Sequence, residues 1–189
     1  MRLEGKSVIL IPMNMDHLED LWNAANSSAI WTFMATKIGS KDELAVSMHT
    51  AILEADKGLQ MPFTVIHKDT KEVIGSTRFI DISLTNKSLE IGWTWYNPAV
   101  WRTKVNTECK YLLFELAFES MGIRRIQLKT DLRNTRSQQA IERLGALREG
   151  VMRKDRVLSD GYVRNTVLYS VLDEEWPAVK QNLLKKLNT

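Results

Sequence analysis

Residues 88 to 145 pass through a strand, a helix, a strand and a helix without a pause, and nothing else in this 189-residue chain restricts its fold as much. "SLEIGWTWY" is rich in β-branched and aromatic residues and is stopped by Asn97-Pro98. A polar loop follows, then an amphipathic helix from about Asn106 to Met121. The strand "RRIQLKTD" comes next, and then the helix "NTRSQQAIERLG", with Asn134 as cap and Gly145 as stop. Such a passage needs crossover connections and at least one parallel strand pair. The flanking patterns are those of hairpins: "PFTVIH" and "EVIGSTRFIDI" about "KDTK", and "LREGVMRKDRVLS" and "YVRNTVLYSVL" about Asp160-Gly161. "SVILI" is a further strand. "NMDHLEDLWNAAN", "SKDELAVSMHTAILEADKG" and "DEEWPAVKQNLLKKL" are helices, the second capped by Ser40 with Glu43 as capping-box partner and closed by Gly58. The predicted class is mixed α/β (α+β): a mostly antiparallel central sheet with one parallel strand pair, flanked by helices. With no repeat, low-complexity tract or linker, residues 1–189 are expected to form a single domain ending in a helix over 172–189.

Composition removes several function classes. The single cysteine, Cys109, excludes an internal disulfide framework and suits a reducing, cytoplasmic setting. The short apolar run "VILIPM" is broken by Pro12 and followed by acidic residues, unlike a secretory leader, and no apolar stretch reaches the ~20 residues that span a bilayer. No membrane partner is expected. A net charge of +3 favours anionic ligands without demanding nucleic acid. His17, His49 and His67 are scattered without metal-ligand spacing, so no metal is expected.

The loop "WRTKVNT", residues 101–107, leads into the mouth of a helix. Free N–H groups at a helix start carry partial positive charge and bind phosphate or carboxylate. Arg102 and Lys104 add cations there, and Asn106 and Thr107 add side-chain donors. A solvated basic loop has the same composition, and the loop alone does not decide between the two.

The order of parts from Leu3 to about Leu172 resembles the GNAT superfamily of N-acetyltransferases, in particular its RimJ/RimL branch. The matching segments are "LIPMNMDHLEDLW", "GSTRFIDI", the run from Glu90 to Tyr169, which is the specific part, and the tail "DEEWPAVK". The resemblance implies a single-domain GNAT fold whose parallel pair, "EIGWTW" and "RIQLKTD", splays into a V-shaped cleft. It implies acetyl-CoA as donor co-substrate and a primary amine as acceptor. The backbone of Trp93, Thr94 and Trp95 would pair with the pantetheine amides. The pyrophosphate would lie on Trp101, Arg102, Thr103, Lys104, Val105, Asn106 and Thr107, with Asn134 touching the cofactor from the next helix. Acceptors across the family include protein N-termini, those of ribosomal proteins among them, and small amines; many relatives pair into homodimers through their C-terminal strands.

Two positions depart from the pattern. The superfamily's phosphate loop has glycines that let backbone approach phosphate, and this chain has Arg102 and Lys104 there. Many members carry a Tyr seven residues after the Asn of the late helix, placed to protonate the departing thiolate. Here that residue is Ile141, and Ser137, one turn earlier on the same face, is what this branch offers instead.

Acetyl transfer needs an acceptor for the amine proton, donors for the tetrahedral oxyanion and an exit for the thiolate. Glu90 is the candidate base: a carboxylate within a helix-covered sheet is costly unless paired or used, and pairing with one of the arginines is its structural alternative. Strict alternation would put Leu89, Ile91, Trp93 and Trp95 on one face, and Glu90, Gly92, Thr94 and Tyr96 on the other. Ser137 is the candidate acid, with a plain first-turn role as alternative; Asn134 is either cofactor contact or helix cap. Cys109 reads as a packed small hydrophobe and Glu108 as a helix-first-turn acid. Two other classes compete with the enzyme. One is a non-catalytic acetyl-CoA sensor or partner protein, favoured by the missing glycines and Tyr. The other is an RNA- or ribosome-binding protein, which the basic last hairpin permits.

Overall fold

The structure is a computed structural model that describes residues 1–188. Among these residues eight strands form one sheet: β1 (Leu3–Glu4), β2 (Val8–Pro12), β3 (Met61–His67), β4 (Val73–Ser83), β5 (Ser88–Tyr96), β6 (Arg125–Asp131), β7 (Leu147–Val157) and β8 (Val163–Leu172). Their order is β1-β2-β3-β4-β5-β6-β8-β7. Every neighbouring pair is antiparallel except β5 and β6, which are parallel across a helical crossover. The expected sheet, mostly antiparallel with one parallel pair, is the one observed.

Among the described residues six α-helices cover the two faces: α1 (Leu18–Ala25), α2 (Ser28–Trp31), α3 (Lys41–Asp56), α4 (Val105–Glu115), α5 (Thr135–Arg143) and α6 (Trp176–Asn188). The core divides accordingly. One cluster packs Phe63, Phe79, Ile91 and Tyr169 of the sheet against α4, α5 and α6; the other packs Trp95 against α1, α2 and α3. The sequence marks neither β1, only two residues long, nor the four-residue α2, whose Ile30 and Trp31 are held by tertiary packing. The helix read as one piece to Met121 runs α-helically to Glu115 and finishes in a π-helical turn, Leu116–Ser120.

Glu108 has a further part beside its place in the first turn of α4. It falls on the apolar stripe Val105–Cys109–Leu112 and is 3% exposed. Its two carboxylate oxygens accept the backbone N–H of Lys6 at 2.6 Å and of Ser7 at 2.8 Å. Gly5 lies against it so closely that a Cβ there would meet Glu108 Cδ at 2.5 Å. The turn between β1 and β2 is thereby clamped to the start of α4, which fixes that helix end against the sheet.

Candidate active site

β5 and β6 hold together only where Ser88–Glu90 face Arg125–Gln127. β6 continues to Asp131 beside β8, whereas β5 from Gly92 onward keeps β4 alone as neighbour. Among the described residues no strand pairs the other backbone edge of β5 from Gly92 to Trp95. That edge borders a widening cleft.

A β-bulge sits at the point of divergence. Gly92 is opposite Arg78 and Trp95 opposite Ser76, so Trp93 and Thr94 share a single partner position, Thr77. Trp93 takes up the extra residue with φ +50°, a left-handed conformation that costs a non-glycine residue about 1–2 kcal/mol. The bulge also reverses the side-chain alternation, so the strict alternation expected from sequence fails past Gly92. Leu89, Ile91 and Tyr96 pack in the α4 cluster, and Thr94 bonds to Lys110 of α4. Trp93 and Trp95 face the other way: Trp93 lies under Arg78, which bonds to Ser47 of α3, and Trp95 packs at a tilt against Trp31, ring centres 5.6 Å apart.

Glu90 is 7% exposed and pairs with Lys129 Nζ at 2.7 Å, a lysine rather than the arginine that the alternative reading named. Burial raises its pKa, against the opposing pull of Lys129. Its Oε1 hangs over Gly92, 3.1 Å from where a Cβ on that glycine would stand.

The loop into α4 keeps several donors free. Among the described residues the N–H groups of Arg102, Lys104, Asn106 and Thr107 meet no acceptor, while that of Val105 reaches Thr103 Oγ1 at 3.3 Å. Arg102 has φ +63°, so this residue adopts the backbone conformation that a glycine would take there without strain. Lys104 is right-handed and needs no glycine; its Nζ donates to the Leu187 carbonyl at the end of α6, at 3.2 Å. Trp101 donates its indole N–H to the Tyr96 carbonyl at 2.9 Å and carries the Arg136 guanidinium over its ring at 4.0 Å. The loop, the end of β5 and the first turn of α5 are thus tied together.

Asn134 caps α5, its Oδ1 accepting the N–H of Ser137 at 3.0 Å. Ser137 is half-buried in the first turn, and Ile141 is buried in the core. No hydrogen bond joins Ser137 to Glu90 among the described residues. Cys109 is fully buried, its thiol pushed up to about 12 by desolvation. Among the described residues no cluster of His, Cys, Asp and Glu could hold a metal ion, and no helix is long and apolar enough to cross a membrane.

Sequence reasoning missed Lys110. It is 4% exposed and reaches from α4 to the back of the bulge, donating to Thr94 Oγ1 at 2.7 Å and Thr77 Oγ1 at 3.3 Å. The signal was present: Lys110 shares a helical stripe with Leu113, Phe114 and Ala117, where a charge is out of place. Desolvation lowers its pKa to about 8. The unfolded chain keeps this proton to about pH 10.4 and the folded chain releases it near 8, so unfolded protein binds more protons in that window and stability rises with pH across it. Lys110→Met should remove a rise of about 2 kcal/mol between pH 8 and pH 10 from the urea-unfolding stability of the wild type. A variant with an unaltered pH profile would contradict the assignment.

Residues 7–147 match the family described as the acetyltransferase (GNAT) domain. The chain belongs to this family. A GCN5-related N-acetyltransferase from Brucella melitensis has the same fold with a TM-score of 0.90 and 29% identity, over 98% of this chain and 84% of that one. The uncharacterized N-acetyltransferase p20 of Bacillus licheniformis is 30% identical over 114 residues, which are 60% of this chain; the match spans 63% of p20's length. Mycobacterium smegmatis RimJ, solved in complex with CoA-disulfide, shares the fold at 18% identity, with a TM-score of 0.82 over 95% of this chain and 88% of that one. The diverging strands, the bulge and the open helix start are features of this GNAT chain itself.

Proposed function

We propose that this GNAT protein is an acetyl-CoA-dependent N-acetyltransferase of the RimJ/RimL branch, acetylating a primary amine by direct attack in a ternary complex. The observation that carries the reading is the divergence of β5 from β6 at a bulge, next to a helix start with unsatisfied N–H groups. The unpaired edge of β5 offers alternating N–H and C=O groups for the amides of the pantetheine arm. Arg102, Asn106, Thr107 and the start of α4 offer charge and donors to the diphosphate. The residues present therefore suit the acetyl carrier, with Trp101 and Asn134 beside it.

Glu90 accepts the amine proton, directly or through water, as the amine nitrogen bonds to the thioester carbonyl carbon. A backbone N–H in Trp93–Trp95 steadies the oxyanion, and the C–S bond then breaks to release the amide. Ser137 hydrogen-bonds the departing thiolate, which takes up a proton on leaving. A carboxylate raised by burial is better matched to a base at neutral pH than an ordinary one. The acceptor is a protein N-terminus or a small amine.

Release of free thiol from acetyl-CoA in the presence of an amine panel tests the reading. Turnover with any amine supports it; acetyl-CoA binding with no release for any amine would leave a sensor instead. Replacing both Arg102 and Lys104 with Ala should weaken acetyl-CoA about 10- to 100-fold, through loss of charge-assisted contacts worth roughly 1.4–2.7 kcal/mol in total. Dephospho-CoA should lose as much, because both side chains flank the diphosphate position. Lys104 already engages Leu187, so Arg102 should carry the larger share. Calorimetry at low salt reads both losses, and a loss confined to coenzyme A would move the two residues to the 3′-phosphate.

A further inference from the structure

On the face of the sheet opposite α4, a pocket of about 560 Å³ opens between α3 and the β4–β5 bulge, and Ser47, Glu54, Gln60, Arg78 and Trp93 are among its lining residues. That size suits a small organic ligand. Arg78 is 5% exposed, and its guanidinium lies 4.5 Å from the centre of the Trp93 ring. Nη2 donates to Ser47 Oγ at 3.1 Å, but Nε is buried with no acceptor. Among the described residues no carboxylate stands within ion-pair distance of Arg78. Glu54 acts on it only at longer range, and a Glu54 oxygen is taken by Gln60 Nε2. Burial lowers the Arg78 pKa to about 10, which leaves it charged at neutral pH. A buried guanidinium without a counter-ion is destabilising, and one planar edge that meets a carboxylate through two N–H groups would relieve it.

The pocket also adjoins the chemistry. Arg78 is the register partner of Gly92, over which the Glu90 carboxylate hangs, and Trp93 is the strained residue of the bulge. Asp42, Glu43 and Glu54 stand on the α3 wall. The lining thus carries both signs, these three carboxylates with Arg78 and Lys37, so the charge pattern suits a ligand with both an amine and a carboxylate.

We propose that the Arg78–Trp93–Ser47 pocket is the acceptor subsite and that it selects a small amine carrying a carboxylate, of the free amino-acid type, over a protein N-terminus. This rests on the N-acetyltransferase reading. Arg78 holds the carboxylate, Trp93 covers one face of the guanidinium, and the amine end extends past Gly92 toward Glu90. The carboxylate takes no part in the bond changes; it positions.

The test is thiol release from acetyl-CoA by the wild-type protein with the twenty L-amino acids and the ω-amino acids from β-alanine to 6-aminohexanoate, each against its carboxamide, and with short N-terminal peptides. The carboxamides have the less basic amines and so the larger unprotonated fraction, which biases the comparison against the proposal. At least one acid should exceed its amide about 100-fold in kcat/KM. Arg78→Met should erase that preference chiefly by raising KM for the acid, and Arg78→Lys should restore part of it. Amides or peptides used as well as the acids overturn the proposal without need of a variant, as does an Arg78→Met protein that keeps the acid preference. The melting-temperature shift given by acetyl-CoA, read in the same samples, separates the two levels. A shift without acid preference sinks this inference alone; no shift and no thiol release with any amine sinks the acetyltransferase reading and this inference with it.

Discussion

Replacing Glu90 with Gln is expected to lower kcat about 100- to 1,000-fold and to abolish the acidic limb of the pH–rate profile, with acetyl-CoA binding retained. The magnitude is that of losing a positioned general base. The limb follows from the site: burial raises the Glu90 pKa, so this carboxylate loses its negative charge at a higher pH than an exposed one, and the rate falls with it. Gln keeps the shape and the hydrogen bond to Lys129 but has no charge to accept a proton. A purely structural Glu90 gives a different result. The Lys129 pair would be weakened and the melting temperature would fall, while the acidic limb of whatever activity remained would be unchanged. Steady-state kinetics from pH 5 to pH 9 separate the two outcomes.

Gly75→Ala is expected to cost about 3–5 kcal/mol, on the order of a 10 °C fall in melting temperature for a chain of this size, and to impair acetyl-CoA binding as well. A Cβ at Gly75 would lie 2.2 Å from the Trp95 carbonyl oxygen and 2.9 Å from Tyr96 Cα. Both are backbone atoms, so no side-chain rotation relieves the contact; β4 and β5 must part by close to 1 Å. Gly75 is the register partner of Tyr96, at the end of β5 that borders the cleft. The shift would move the strand edge on which the pantetheine is proposed to lie, and displacements of that size near a reacting centre cost on the order of 100-fold in rate. Urea unfolding and calorimetry on one preparation would show both effects. A Gly75→Ala protein with wild-type stability would mean that the two strands do not approach as described.

The passage from Ser88 to Gly145 was legible because strand composition, Asn97-Pro98, helical stripes and Gly145 all agree along it. Its hairpin neighbours were legible for the same reason. The bulge was not. A bulge usually advertises itself through glycine, and here a tryptophan occupies the left-handed position, so strict alternation assigned Trp93 and Trp95 to the wrong face. The same holds for Arg102, whose left-handed backbone is invisible in its residue type. Glu108 and Lys110 could have been found. Each puts a charge on an apolar stripe of α4, and such charges mark a buried polar contact: two N–H groups of the β1–β2 turn in one case, two threonine hydroxyls behind the bulge in the other. Arg78 carried no such mark, because a lone arginine in a strand reads as solvent-facing until α3 is seen to cover it. Elements as short as β1, two residues paired to β2, and α2, four residues held by packing, lie below what local pattern can register.

One measurement bears on the central claim most directly: a crystal structure of the protein grown with acetyl-CoA. The account predicts the pantetheine arm along the unpaired edge of Gly92–Trp95, the diphosphate against the free N–H groups of residues 102–107, and the thioester within reach of the bulge at Trp93. A well-ordered protein with that cleft closed or empty at saturating acetyl-CoA would contradict it.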